Sequence, residues 1–177
     1  AALQATGDFA VGLQEPSGRT FLAVDRFAIR SLCYRVVDGQ IRFAGRADEL
    51  ADGADIDPQA IFDYLYFHAI PSPRTIFKGV FRLPPGHYAL FEQGKLTVAP
   101  YWVPTFIEPR SASFNSLREE FRGLVRTAVN AQLDGGTAAC FLSGGTDSST
   151  VAGMLSEIGG KQGQKAPTYS IGFEAQG

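Results

Sequence analysis

Phe141-Leu142-Ser143-Gly144-Gly145-Thr146-Asp147-Ser148-Ser149 is the stretch that decides how this chain is read. It divides into the end of a strand, a glycine turn and the start of a helix. Ala138 to Leu142 is short, apolar and uninterrupted, the pattern of a strand buried on both faces. Ser143-Gly144-Gly145 lets the backbone turn sharply and approach a ligand closely. Asp147, Ser148 and Ser149 suit a helix N-terminus, and Val151, Met154, Leu155 and Ile158 follow at helical spacing. Gly159-Gly160 predicts the end of that helix. The first amides of a helix have no partner within it, so this turn predicts an anion site, above all for phosphate.

The turn is not a Walker A loop. No Gly-x-x-x-x-Gly-Lys-Ser/Thr occurs, and with it the lysine that reaches terminal phosphates is missing. The S-G-G-x-D-S pattern instead resembles the pyrophosphate loop of the N-type ATP pyrophosphatases. Tyr169-Ser170-Ile171-Gly172-Phe173-Glu174 lies where the next strand of a βαβ unit falls. Upstream, Gly7-Asp8-Phe9-Ala10, Asp25-Arg26-Phe27-Ala28-Ile29-Arg30, Pro73-Arg74-Thr75-Ile76-Phe77-Lys78-Gly79 and Leu83-Pro84-Pro85-Gly86-His87-Tyr88 complete the pattern. In order and spacing, from residue 7 to residue 174, these segments resemble the glutamine-hydrolysing asparagine synthase family. Three positions depart from it: Ala28 stands for a usual glycine, Ser31 for a frequent proline, and Thr146 for a frequently apolar residue.

The resemblance implies a fold class and a chemistry. The fold is α+β, an Ntn-type layered β-sheet glutaminase portion, followed by the first part of an α/β doubly wound parallel-sheet domain. The chemistry is ATP-dependent synthesis of asparagine from aspartate, with ammonia drawn from glutamine and an adenylated carboxylate between, releasing AMP and pyrophosphate. ATP and Mg²⁺ are the implied cofactors. The implied ATP and pyrophosphate site comprises Leu142, Ser143, Gly144, Gly145, Thr146, Asp147, Ser148, Ser149 and Ile171. Backbone amides of Gly144, Gly145 and Thr146 would hold pyrophosphate oxygens, with hydroxyls of Ser143, Ser148 and Ser149 adding donors. Asp147 is the implied magnesium carboxylate, acting through the phosphates, and Leu142 and Ile171 match the adenine contacts. No catalytic residue is expected in the glutaminase portion, because residue 1 is alanine and Cys33 is internal. The chain thus reads as the middle of a longer protein, starting past the family's nucleophile and stopping before its aspartate-recognition regions. Two alternatives stay open: a related adenylating ligase with a β-lactam, peptide or sugar acceptor, or a catalytically incomplete scaffold.

Composition narrows the partners. The 177 residues carry 45% hydrophobic residues, enough for a core, and a net charge of −2. With no basic stripe to neutralise phosphates, no nucleic-acid partner is expected. No apolar run approaches the roughly 20 residues of a membrane helix. Cys33 and Cys140 lie in apolar strand contexts and read as buried small hydrophobes. A cytoplasmic protein is expected, with ATP, aspartate and glutamine as small-molecule partners and homodimerisation of the longer protein left open.

The first part reads mainly as strands. Asp8 to Leu13, Arg19 to Val24, Leu32 to Val37 and Ile41 to Ala44 are apolar-rich, with turns at Glu15 to Gly18 and Asp38-Gly39. Asp57-Pro58 predicts a capped helix with Ile61, Phe62, Leu65 and Tyr66 as its apolar face, ended by Ile70-Pro71-Ser72-Pro73. Another hairpin pairs His87 to Phe91 with Lys95 to Ala99. The expected domains are 1–104 and 113–177, joined by a linker at 105–112. Ser113 predicts the cap of a long helix with Leu117, Phe121, Leu124, Val125, Ala128 and Val129 on its apolar face. His68 and His87 lack partners at metal-ligand spacing and read as structural, and Asp25-Arg26 reads as a turn ion pair.

Overall fold

The structure, a computed structural model, describes residues 5–107, 111–133, 138–160 and 166–172. Residues 108–110 of the expected linker, and Phe173 and Glu174 of the second family segment, lie outside them. The chain divides into two compact units, Ala1–Phe106 and Ile107–Gly177. It is a mixed α/β protein. Antiparallel sheets build the first unit, and a parallel strand pair marks the second.

In the first unit, β1 (Ala10–Gln14), β2 (Thr20–Val24), β6 (His87–Glu92) and β7 (Lys95–Pro100) form a sheet in the order β1-β2-β6-β7. A second sheet runs β4 (Gln40–Ala44), β3 (Cys33–Val37), β5 (Phe81–Arg82). Turn chemistry sets the registers. Asp38-Gly39 has φ of 50° and 72°, and Gln93-Gly94 has 52° and 73°. Positive φ at both positions is the signature of the I′ turn, whose twist matches paired strands. Leu22 and Val24 of β2, Tyr34 of β3, Ile41 of β4, and Ala89 and Phe91 of β6 meet in one cluster with Leu32 and Leu83, so the core draws on both sheets. Gly12 on β1 leaves room for the Phe43 ring: a Cβ there would lie 2.2 Å from Phe43 Cε2.

Asp25 organises the end of this core. It is 3% exposed. Its Oδ1 accepts from the amides of Phe27 (3.0 Å) and Ile29 (3.1 Å), and its Oδ2 from those of Arg30 (3.1 Å) and Phe9 (3.3 Å). Its carbonyl accepts from Gly86 N at 3.0 Å. The Tyr101 hydroxyl donates to the neighbouring Val24 carbonyl at 2.7 Å. The expected Asp25–Arg26 ion pair is therefore not the arrangement found. Backbone donors take the carboxylate, and the Arg26 guanidinium lies over the Trp102 ring, 5.8 Å from its centroid.

Helix α1 (Pro58–Phe67) starts as its sequence dictates: the Asp57 side chain accepts from Gln59 N, and proline occupies the first turn. It ends earlier than the downstream prolines require, at His68 in the left-handed region with φ 57°. Its apolar face is not its buried one. Ile61, Phe62, Leu65 and Tyr66 point outward, and Ala60 is the buried residue of the helix. The anchor is polar: Arg74 reaches both Asp57 and Asp63.

In the second unit, α2 (Phe114–Ala131) is capped by Ser113, whose side chain accepts from Ser116 N. β8 (Cys140–Phe141), α3 (Thr146–Gly160) and β9 (Thr168–Tyr169) form a strand–helix–strand crossover with parallel pairing. Met154 and Leu155 of α3 are buried, and Arg126 of α2 pairs with Glu157 of α3. Two expectations are corrected. On α2, Leu117, Phe121, Leu124 and Ala128 are exposed and only Val125 and Val129 are half-buried. On β8, Phe141 is 76% exposed and Cys140 is half-buried, so Cys33 alone is the buried thiol expected of both cysteines. A central parallel strand needs cover on two faces. Among the described residues the parallel pairing consists of β8 and β9 alone.

Burial raises the Asp25 carboxyl, but the four amides outweigh it and hold it below the ordinary carboxylate value. A depressed folded value gives stability that is complete above the unfolded value of about 3.9 and is lost as pH falls through the folded one. Asp25→Ala should cost about 3 kcal/mol or more at neutral pH, since four amides lose a charged acceptor. Urea denaturation as a function of pH should show the gap between wild type and variant closing only in acid, below about pH 4.

Candidate functional site

The loop between β8 and α3 is built from its own short side chains. Leu142 N donates to Tyr169 O at 2.8 Å, extending the parallel pairing by one bond. The Ser170 hydroxyl donates to Leu142 O at 2.7 Å. The chain then turns through Gly144, whose φ of 82° suits glycine and strains any other residue. A Cβ on Gly144 would meet nothing within 4 Å. Glycine is thus required there by backbone conformation, not by crowding. α3 opens at Thr146, and its first turn closes with Ser149 N donating to Gly145 O at 3.1 Å.

Ser148 braces the turn. Its Oγ accepts from Ser143 N at 3.2 Å, donates to Gly145 O at 3.1 Å, and lies 3.0 Å from Ser143 Oγ. Its hydroxyl is therefore engaged within the loop. Ser143, Gly144, Gly145, Thr146, Asp147 and Ser149 are exposed. They fall within the seven residues from Ser143 to Ser149 at the N-terminal end of α3, where unpaired amides and the helix dipole favour negative charge. Leu142 is half-buried behind them, and Ile171 is 76% exposed two residues past β9. Because β8 and β9 are parallel, Leu142 and Ile171 leave the sheet at the same end, the end where open α/β sheets take ligands. Sequence reasoning missed the Ser170 hydroxyl and the bracing role of Ser148. Ser170 directly after β9 and the serine pair Ser148-Ser149 in the first turn of α3 are the signals that were available.

The histidines and cysteines form no second centre. Among the described residues no cluster of three or more His, Cys, Asp or Glu is placed to hold a metal. His87 Nδ1 sits 2.7 Å from Pro85 O, and His68 terminates α1. Cys33 is 2% exposed; burial raises its thiol, and Arg82 partly offsets this. No described helix is long and apolar enough to cross a membrane.

An antiparallel two-sheet unit, followed by a strand–glycine loop–helix–strand unit with an open helix N-terminus, defines a two-part α/β protein. Residues 1–102 match the family model described as a glutamine amidotransferase domain, and residues 120–177 match the one described as asparagine synthase. The chain belongs to the asparagine synthase family and carries its glutamine amidotransferase domain. It is 29% identical over 160 residues to glutamine-hydrolyzing asparagine synthetase 1 of Bacillus subtilis, covering 88% of this chain and 24% of that protein. It is 34% identical over 161 residues to amidase chyE of Penicillium rubens, covering 86% and 24%. It is 32% identical over 170 residues to amidase chry2 of Gibberella zeae, covering 90% and 24%. The chain thus spans about a quarter of the length of these relatives.

Removing the Ser148 hydroxyl deprives Ser143 N of its acceptor. Ser148→Ala should speed hydrogen exchange at the Ser143 amide about tenfold, the weight of one net hydrogen bond, with Ser148→Thr restoring protection. Amide exchange by NMR reads this directly, and amides in β2 and β6 serve as the unchanged reference.

Proposed function

We propose that this chain contributes the nucleotide loop of an ATP-dependent, amide-forming ligase of the asparagine synthase type. The observation that carries it is the Ser143–Ser149 turn: an exposed glycine bend at the carboxyl end of a parallel strand, feeding a helix N-terminus. In this proposal the amides of Gly144, Gly145 and Thr146 hold the pyrophosphate of ATP. Ser143 and Ser149 supply hydroxyls, and Ser148 keeps the bend in shape. Leu142 and Ile171 flank the adenine. Asp147 is an exposed carboxylate in the first turn of α3, which fits a magnesium ion shared with phosphates, since that ion needs only one or two protein carboxylates. Bound there, magnesium would neutralise charge on the phosphates.

The reaction proposed joins aspartate to ammonia released from glutamine. The acceptor carboxylate attacks the α-phosphorus of ATP, pyrophosphate leaves, and ammonia displaces AMP from the acyl carbon. The loop's task is positioning and charge stabilisation. The first unit then represents a layered glutaminase of the Ntn type, and the second the start of a doubly wound sheet, in a protein of the cytoplasm, where Cys33 and Cys140 would stay reduced. A second acceptor class is favoured by one finding: two of the relatives bear the name amidase rather than asparagine synthetase.

ATP–pyrophosphate exchange by the full-length protein tests the loop. Asp147→Ala should lower it about 100-fold, equal to roughly 2.7 kcal/mol of transition-state stabilisation. Exchange at the wild-type rate in that variant, with its fold intact, would refute the assignment. Exchange driven by other carboxylates but not by aspartate would move the acceptor to the second class.

Glutamine hydrolysis gives a separate check. Cys33 is buried in β3 with its thiol raised, the reverse of an activated nucleophile. The 177-residue chain alone should release no glutamate from glutamine. Release that disappears with Cys33→Ser would overturn this.

A further inference from the structure

We propose, resting on the nucleotide reading above, that Ser170 is a positioning residue of that site: its hydroxyl ends the parallel strand pair and keeps the main chain of Ile171 open. β8 and β9 pair Cys140 with Thr168 and Phe141 with Tyr169. Bonds in a parallel ladder are evenly spaced. One more rung, Leu142 with Ser170, therefore needs two of them: Leu142 N to Tyr169 O, and Ile171 N to Leu142 O. The first is formed, at 2.8 Å. The second is not. The Ser170 hydroxyl donates to Leu142 O instead, at 2.7 Å, an ordinary length for a hydroxyl donor. The pairing stops there, and among the described residues the Ile171 amide and carbonyl take no hydrogen bond.

This ending divides the work between the two strand exits. Both main-chain groups of Leu142 are engaged by β9 residues, so Leu142 offers a ligand its side chain alone. Ile171 leaves the pair at the same end, 76% exposed, with both main-chain groups unused. A strand carbonyl that loses its donor takes another. With alanine at 170, the donor that the ladder itself provides to Leu142 O is the Ile171 amide. The pair would then close by one rung and draw Ile171 into the sheet. An amide bond would replace a hydroxyl bond of similar net strength, so stability would change little. A serine with a merely structural role behaves in the opposite way: its removal loosens the end of β9 and leaves the Ile171 amide open.

Hydrogen–deuterium exchange of the full-length protein without nucleotide, resolved to single amides by mass spectrometry, tests the structural step. The Ile171 amide should exchange freely in the wild type and about tenfold more slowly in Ser170→Ala, the weight of one added hydrogen bond. Ser170→Thr keeps the hydroxyl and should exchange as the wild type does. ATP–pyrophosphate exchange tests the functional step. Ser170→Ala should raise KM for ATP about tenfold, with kcat within about twofold and the melting temperature unchanged, and Ser170→Thr should restore KM. An Ile171 amide that is protected in the wild type, or equally fast in Ser170→Ala, overturns the proposal. An unchanged KM in a Ser170→Ala protein whose Ile171 amide has become protected overturns it too, as does a lowered melting temperature with the Ile171 amide still open. Absence of exchange activity in the wild type refutes the nucleotide reading instead, and the Ile171 amide then decides the role of Ser170 by itself.

Discussion

The first unit depends on the buried carboxylate of Asp25. Its two oxygens gather the amides of Phe9, Phe27, Ile29 and Arg30, which fixes the entry to β1 and the turn that leaves β2. Its main chain holds Gly86 just before β6, and Gly86 O in turn accepts from Tyr101 N and Trp102 N just after β7. Four strand ends thus converge on one residue. An acceptor-only carboxylate can satisfy several donors at once, which no neutral side chain of that size does. Gly86 completes the knot because a Cβ there would lie 2.7 Å from Trp102 O.

The loop from Ser143 to Ser149 is held differently. Its geometry comes from hydrogen bonds within eight consecutive residues, Ser143 to Thr150, and from the bond between Ser170 and Leu142 across the strand pair. Gly144 supplies the positive φ that starts the turn, and Ser148 closes it. Such a site needs little of the surrounding core to take its shape. That explains how a recognisable loop coexists with a parallel pair whose Phe141 and Tyr169 are 76% and 60% exposed.

Both long apolar helix faces read from the sequence point outward. On α1, anchoring falls to Ala60 and to the Arg74 bridge between Asp57 and Asp63. On α2, contact with α3 includes the Arg126–Glu157 pair while Leu117, Phe121 and Leu124 stay exposed. Hydrophobic periodicity records that a face is meant to be covered. It does not record by what.

The sequence by itself determined the local structure. Asp38-Gly39 and the glycine at 94 dictate their hairpins because only certain residues tolerate positive φ. Asp57 and Ser113 dictate helix starts because their oxygens cap free amides. Ser143 to Ser149 announced the strand–turn–helix because the positive φ at Gly144 and the helix start at Thr146 demand such residue types. Tertiary structure alone decided the rest. Asp25 binds backbone amides instead of Arg26, because burial makes well-placed N–H donors better partners than a solvated guanidinium. Ser148 faces into the loop, and α1 turns its apolar face outward, because orientation depends on which neighbours lie close in space, and local spacing carries no record of them.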